Sequence, residues 1–122
     1  MLALTLIAGT IMSGAASAAG PIASPAARNA FQVCSGCHAD TPGTRRMGPA
    51  LFGIMGRQAG VDPGFLYSPA MKAAKLRWDP ATLDAFLKAP RTVVPGTRMP
   101  FPGTTEPTKR ALIIEYLGSL SR

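Results

Sequence analysis

Cys34-Ser35-Gly36-Cys37-His38 is the stretch of this chain whose residue types and spacing specify a chemistry. Two thiols three positions apart, with an imidazole directly after the second, match a c-type haem attachment site. Each thiol can add across one vinyl group of a haem and tie it to the backbone through a thioether bond. His38 is then held under the iron, where a ring nitrogen can act as proximal axial ligand. Two other chemistries use a Cys-x-x-Cys pair, and both lack their remaining parts. A structural zinc takes four ligands, whereas this chain has two Cys and one His in total. A thiol oxidoreductase would set the pair in a βαβ context, and no such pattern surrounds Cys34.

An iron held on one side by His38 can take a second ligand on the other. Between Pro90 and Gly103 the turn signals Pro95-Gly96, Pro100 and Pro102-Gly103 argue against regular structure. Met99 lies in this run, flanked by Arg98 and Pro100. A Met in a stiff loop is not the usual core filler, and a thioether is a soft ligand that pairs with His in electron-transfer haems. Met47, Met55 and Met71 compete, but fall in or beside segments that read as short helices. Met1 and Met12 belong to an N-terminal apolar segment. Met99 is therefore the expected sixth ligand. A ligating His gives its other ring N–H to an oxygen acceptor, and the Pro49 carbonyl is a candidate. Trp78 and Tyr67 each carry a polar tip that needs a partner if buried. Haem propionates are the obvious anions, and Arg57 could pair with them.

Helices must position these groups. Ser24-Pro25 opens one, with Ala26, Ala27, Ala30, Phe31 and Cys34 at helical spacing, leading into the haem motif. A loop follows over 39–47, and Gly48-Pro49 is expected to begin a short helix through Leu51, Phe52 and Ile54 that Gly56 stops. Residues 60–67 read as an irregular loop. Ser68-Pro69 caps a helix expected to reach Leu76, and Asp79-Pro80 caps another running to Lys88 and ended by Pro90. A final helix starts at Thr105-Glu106-Pro107. Its stripe of Leu112, Ile113, Tyr116, Leu117 and Leu120 should pack near Phe31. No segment alternates as a strand does. The expected fold is all-α, with short helices and loops wrapped around one covalent haem.

Residues 1–27 carry no charge. An apolar run from Leu2 to Met12 leads to small residues ending in Ala16-Ser17-Ala18, the pattern of a secretory signal peptide cleaved after Ala18. No Lys or Arg precedes the run, which leaves a retained membrane anchor as the rival, although the apolar part is short of the ~20 residues of a span. The expected organisation is a signal peptide over 1–18 and one domain over 19–122, exported to the periplasm. Thirteen basic against six acidic residues give a net charge of +7. The basic residues are scattered, without a nucleic-acid motif. The excess instead suits docking to an acidic protein partner, or to an anionic membrane surface if the N-terminal segment is retained.

The whole pattern resembles the class I cytochromes c, of the mitochondrial and bacterial cytochrome c2 type, from Phe31 to Leu117. The motif at Cys34–His38 carries the resemblance, with Gly48-Pro49-Ala50-Leu51-Phe52-Gly53 and Gly64-Phe65-Leu66-Tyr67-Ser68. Further matches are Trp78, Pro90, Pro95-Gly96-Thr97-Arg98-Met99 with Phe101, and Tyr116-Leu117. The resemblance implies one haem c with His38 and Met99 as axial ligands and the Pro49 carbonyl behind His38. It also implies Phe101 beside the haem edge, and Arg57, Tyr67 and Trp78 around a propionate. Two positions depart from the family: Phe86 stands where a Tyr commonly approaches the Met sulfur, and Met71 where an Asn often joins a buried polar network. The function implied is a soluble, monomeric one-electron carrier with no catalytic residues, exchanging electrons with an oxidase, reductase or dehydrogenase. The alternative is the haem c subunit of a periplasmic redox enzyme complex.

Overall fold

The structure is a computed structural model in which residues 21–120 are described; the expected signal peptide lies outside them. Five helices follow in chain order: α1 (Pro25–Ser35), α2 (Pro69–Ala73), α3 (Pro80–Lys88), α4 (Pro90–Val93) and α5 (Pro107–Ser119). Each begins on a proline, whose fixed φ suits the first turn and whose missing N–H would have no intrahelical partner there. Ser24, Ser68 and Asp79 cap α1, α2 and α3, accepting from Ala27 N (3.1 Å), Met71 N (3.1 Å) and Thr82 N (2.8 Å). The described residues contain no strand, only an isolated bridge between Gln58 and Arg77. None of their helices is long and apolar enough to cross a membrane.

The main packing contact is α1 against α5. Phe31 is 1% exposed and stacks on Tyr116 with ring centroids 4.4 Å apart. Ile113 and Leu117 close the interface, while Leu112, Tyr116 and Leu120 from the same stripe stay half-buried. Enclosing Phe31 contributes about 1.5–3 kcal/mol. Polar contacts fix the crossing: Ser24 N donates to the Glu115 carboxylate at 2.8 Å, and the Tyr116 hydroxyl donates to Asp40 at 2.6 Å. That second bond pushes the Tyr116 phenol above its ordinary pKa, since ionising it would set two anions side by side. Tyr116→Phe should keep the stacking and lose the bond, lowering stability in urea unfolding by about 1 kcal/mol.

Three expected elements differ. The helix expected from Gly48 to Gly56 is a chain of turns. Its donors serve distant carbonyls, with Leu51 N on Ala39 O (2.8 Å), Gly53 N on Leu120 O (3.1 Å) and Gly56 N on Trp78 O (2.7 Å). α2 stops at Ala73, not Leu76. Lys75 turns to φ 51°, and the Leu76 carbonyl accepts from Ala59 N at 2.7 Å. Pro90 does end α3, but it also starts a single further turn, α4, within the segment expected to be irregular. Ala89, at φ −153° and ψ 78°, breaks the helix between them.

Candidate functional site

α1 delivers the attachment motif. Cys34 occupies its last turn, and the chain then curls back, with Cys37 N and His38 N both donating to the Cys34 carbonyl (3.2 and 3.0 Å). Neither sulfur is tied up in a disulfide. Before attachment, burial pushes the Cys34 thiol up to about 11, opposed in part by the positive charge of Lys109.

The segment after the motif folds over His38. Gly48 N donates to the Cys37 carbonyl at 2.7 Å, and this brings the Gly48 backbone onto the imidazole. A Cβ on Gly48 would lie 2.8 Å from His38 Cε1 and 2.9 Å from Nδ1. The next residue places its carbonyl oxygen 2.7 Å from His38 Nδ1. A carbonyl can only accept, so Nδ1 carries the proton and Nε2 keeps its lone pair. Burial lowers the His38 pKa, opposed in part by the Pro49 hydrogen bond, which favours the neutral, ligating imidazole.

The other expected site residues gather on one core. Trp78, Phe86 and Met71 belong to the buried cluster, and Cys34, Tyr67, Met99 and Phe101 are half-buried against it. Trp78 meets Phe86 edge-on at 5.0 Å. It is 8% exposed, and its indole N–H has no acceptor among the described residues. Burial raises the pKa of the Tyr67 hydroxyl, with the Arg57 charge working against that rise. Arg57 itself donates to the carbonyls of Ala50 (2.7 Å) and Phe52 (3.4 Å), so part of its work is to hold the loop beside Pro49. The two departures, Phe86 and Met71, are both buried, leaving apolar atoms where a hydroxyl and an amide would otherwise lie.

No protein-family model matches the chain. It is 42% identical to cytochrome c2 of Rhodopila globiformis over 88 residues, covering 72% of this chain and 83% of that protein. It is 44% identical to cytochrome c2 of Rhodomicrobium vannielii, covering 73% and 72%. Among solved structures it matches cytochrome cH from Methylobacterium extorquens with a TM-score of 0.72, at 40% identity over 78% of this chain and 96% of that one. The chain belongs to the class I cytochromes c. It is an electron carrier rather than an enzyme, and its cofactor is covalent haem c.

The chain's own geometry fits that group. Cys34 and Cys37 supply the two thiols, His38 offers Nε2, and the orphaned Trp78 indole supplies a buried donor of the kind a haem carboxylate needs. Among the described residues no three His, Cys, Asp or Glu side chains are grouped so as to hold a metal ion. Two contributors were missed in the sequence. Gly48 matters because its backbone lies against His38, whereas in the sequence it reads only as the start of a short helix and part of a shared motif. Arg110, which the sequence does not single out, is 6% exposed on α5.

Proposed function

We propose that this cytochrome c is an exported, periplasmic one-electron carrier with His38 and Met99 as axial ligands and a docking face for acidic redox partners. The observation that carries the ligation is the 2.7 Å contact between His38 Nδ1 and the Pro49 carbonyl, which leaves Nε2 to the iron beside two thiols. The bound haem supplies an iron that gains and loses one electron. The protein's part is to orient His38, present the Met99 sulfur from the loop between α4 and α5, and pack apolar side chains that exclude water. Of the competing methionines, Met47 is 78% exposed and Met71 is enclosed on α2. Arg57, Tyr67 and Trp78 would hold the propionates, and Phe101 would lie beside the haem edge.

Charge supports the docking role. Among the described residues the only ion pair is Arg110–Asp84. Asp40, Asp62, Asp79 and Glu115 each accept a hydrogen bond from a neutral donor, so the positive excess is left uncompensated at the surface. Lys88, Arg91 and Arg98 flank the Met99 loop, and Arg45 and Arg46 follow the attachment motif; all are exposed. Arg45 also donates to the Gly64 carbonyl at 2.5 Å, which makes Arg46 the cleaner probe. Electron transfer to an acidic partner should slow as salt rises, because the Debye length falls to about 8 Å at physiological ionic strength. Replacing Arg46, Arg91 and Arg98 together by Gln should slow it about tenfold at low salt with the potential nearly unchanged. A second-order rate constant independent of ionic strength in the parent protein would refute electrostatic docking.

A further inference from the structure

The loop from Val94 to Glu106 carries Met99 between two anchors. At its start Val94 is 1% exposed, its N–H donates to the Pro90 carbonyl at 2.9 Å, and its own carbonyl accepts from Thr97 N at 3.0 Å. At its far end Thr104 N donates to the Leu87 carbonyl on α3 at 2.9 Å. Gly103 sits there at φ +99°, so close that a Cβ would run into the Lys88 carbonyl. Between the anchors, the Met99 N–H donates only to Thr97 Oγ1, at 3.4 Å. Apart from the packing of its side chain against the core, Met99 is thus held by what holds the two ends.

Arg110 completes the second anchor. Its Nη1 donates to the Thr104 carbonyl at 2.9 Å, and its Nε donates to Asp84 Oδ1 on α3 at 2.7 Å. One guanidinium therefore ties the end of the loop to α3 and to its own helix, α5. Stability alone is a weak reason for such a group, since a well-packed apolar residue often serves a buried site as well. A planar fork bonding two partners at once does fix geometry.

We propose that Arg110 is a positioning residue for Met99: by locking Thr104 against α3 through Asp84, it limits how readily the loop opens and an outside ligand displaces the sulfur from the haem iron. This rests on the Met99 ligation proposed above. The readout is the affinity of the ferric holoprotein for imidazole. Arg110→Met fills similar volume and removes both bonds, and should raise that affinity about tenfold. Arg110→Lys, a point donor without the fork, should fall between parent and Met variant. Asp84→Asn keeps an acceptor but loses its charge, and should give about a threefold rise; it serves if the Met variant fails to hold haem. Ser24→Ala removes the cap of α1, far from the loop in the chain, and should lower stability without changing the affinity.

An unchanged affinity in the Arg110 and Asp84 variants, where Met99→Ala raises it, would overturn the positioning role alone. An equal rise in Ser24→Ala would also overturn it, by assigning the effect to general stability. An unchanged affinity in Met99→Ala would remove the ligation reading, and this role with it.

Discussion

A Met99→Ala holoprotein is expected to keep its haem, lose potential and open its iron. Attachment depends on Cys34 and Cys37, which the substitution does not touch. The thioether is a soft ligand that favours Fe(II), and without it water or hydroxide would favour Fe(III). The potential should fall by on the order of 0.1 V or more, within the ~0.8 V range over which axial ligands move haem potentials. The reduced protein should bind carbon monoxide and the oxidised one imidazole, neither of which a six-coordinate iron readily admits. Met99 is only half-buried, so the loss of packing should cost about 1–2 kcal/mol, below the usual range for an enclosed Met. A redox titration and a carbon monoxide titration decide the matter. An unchanged potential with unchanged resistance to carbon monoxide would take Met99 off the iron. Met71→Leu and Met55→Leu would then be next in line, since both side chains reach the core.

Chemistry and helix starts were legible in the sequence because both depend on neighbours along the chain. Cys34, Cys37 and His38 declare themselves by spacing. Ser24, Ser68 and Asp79, each followed by Pro, announce helices because a cap and a preset φ act over a few residues. The turns between Gly48 and Gly56 were not legible. Local composition there allows a helix, but the N–H groups of Leu51, Gly53 and Gly56 are claimed by Ala39, Leu120 and Trp78, partners that no window around residue 50 contains. The same holds for Arg110, whose burial follows from where Asp84 and Thr104 lie. The contact between His38 and the Pro49 carbonyl could be anticipated because an imidazole serving as a ligand needs an acceptor for its other N–H, a requirement that does not depend on the backbone path.

Two glycines close to the haem motif should respond oppositely to the same added methyl group. Gly36 lies between the cysteines at φ −65° and ψ −29°, in the helical region, and a Cβ there would meet nothing within 4 Å. Ala costs no strain at that position and restricts the unfolded chain, so Gly36→Ala should be neutral or stabilise by about 0.4–1 kcal/mol. At Gly48 the Cβ would lie 2.8 Å from His38 Cε1, 2.9 Å from Nδ1 and 3.1 Å from the Cys37 carbonyl oxygen. An imidazole that ligates the iron, as proposed, and follows directly on the tethered Cys37 would have little room to retreat. The 48–49 segment must therefore move away, stretching the Gly48–Cys37 bond of 2.7 Å and the His38–Pro49 contact of 2.7 Å. Overpacking of this kind costs about 1–3 kcal/mol, and losing the acceptor behind a buried N–H adds about 1–3 kcal/mol. The potential should change too, because the hydrogen bond to Pro49 raises the basicity of Nε2. Denaturant unfolding of both holoproteins beside a redox titration is the measurement. If Gly48→Ala matched Gly36→Ala in stability and potential, the Gly48 backbone would not be what holds His38 in place.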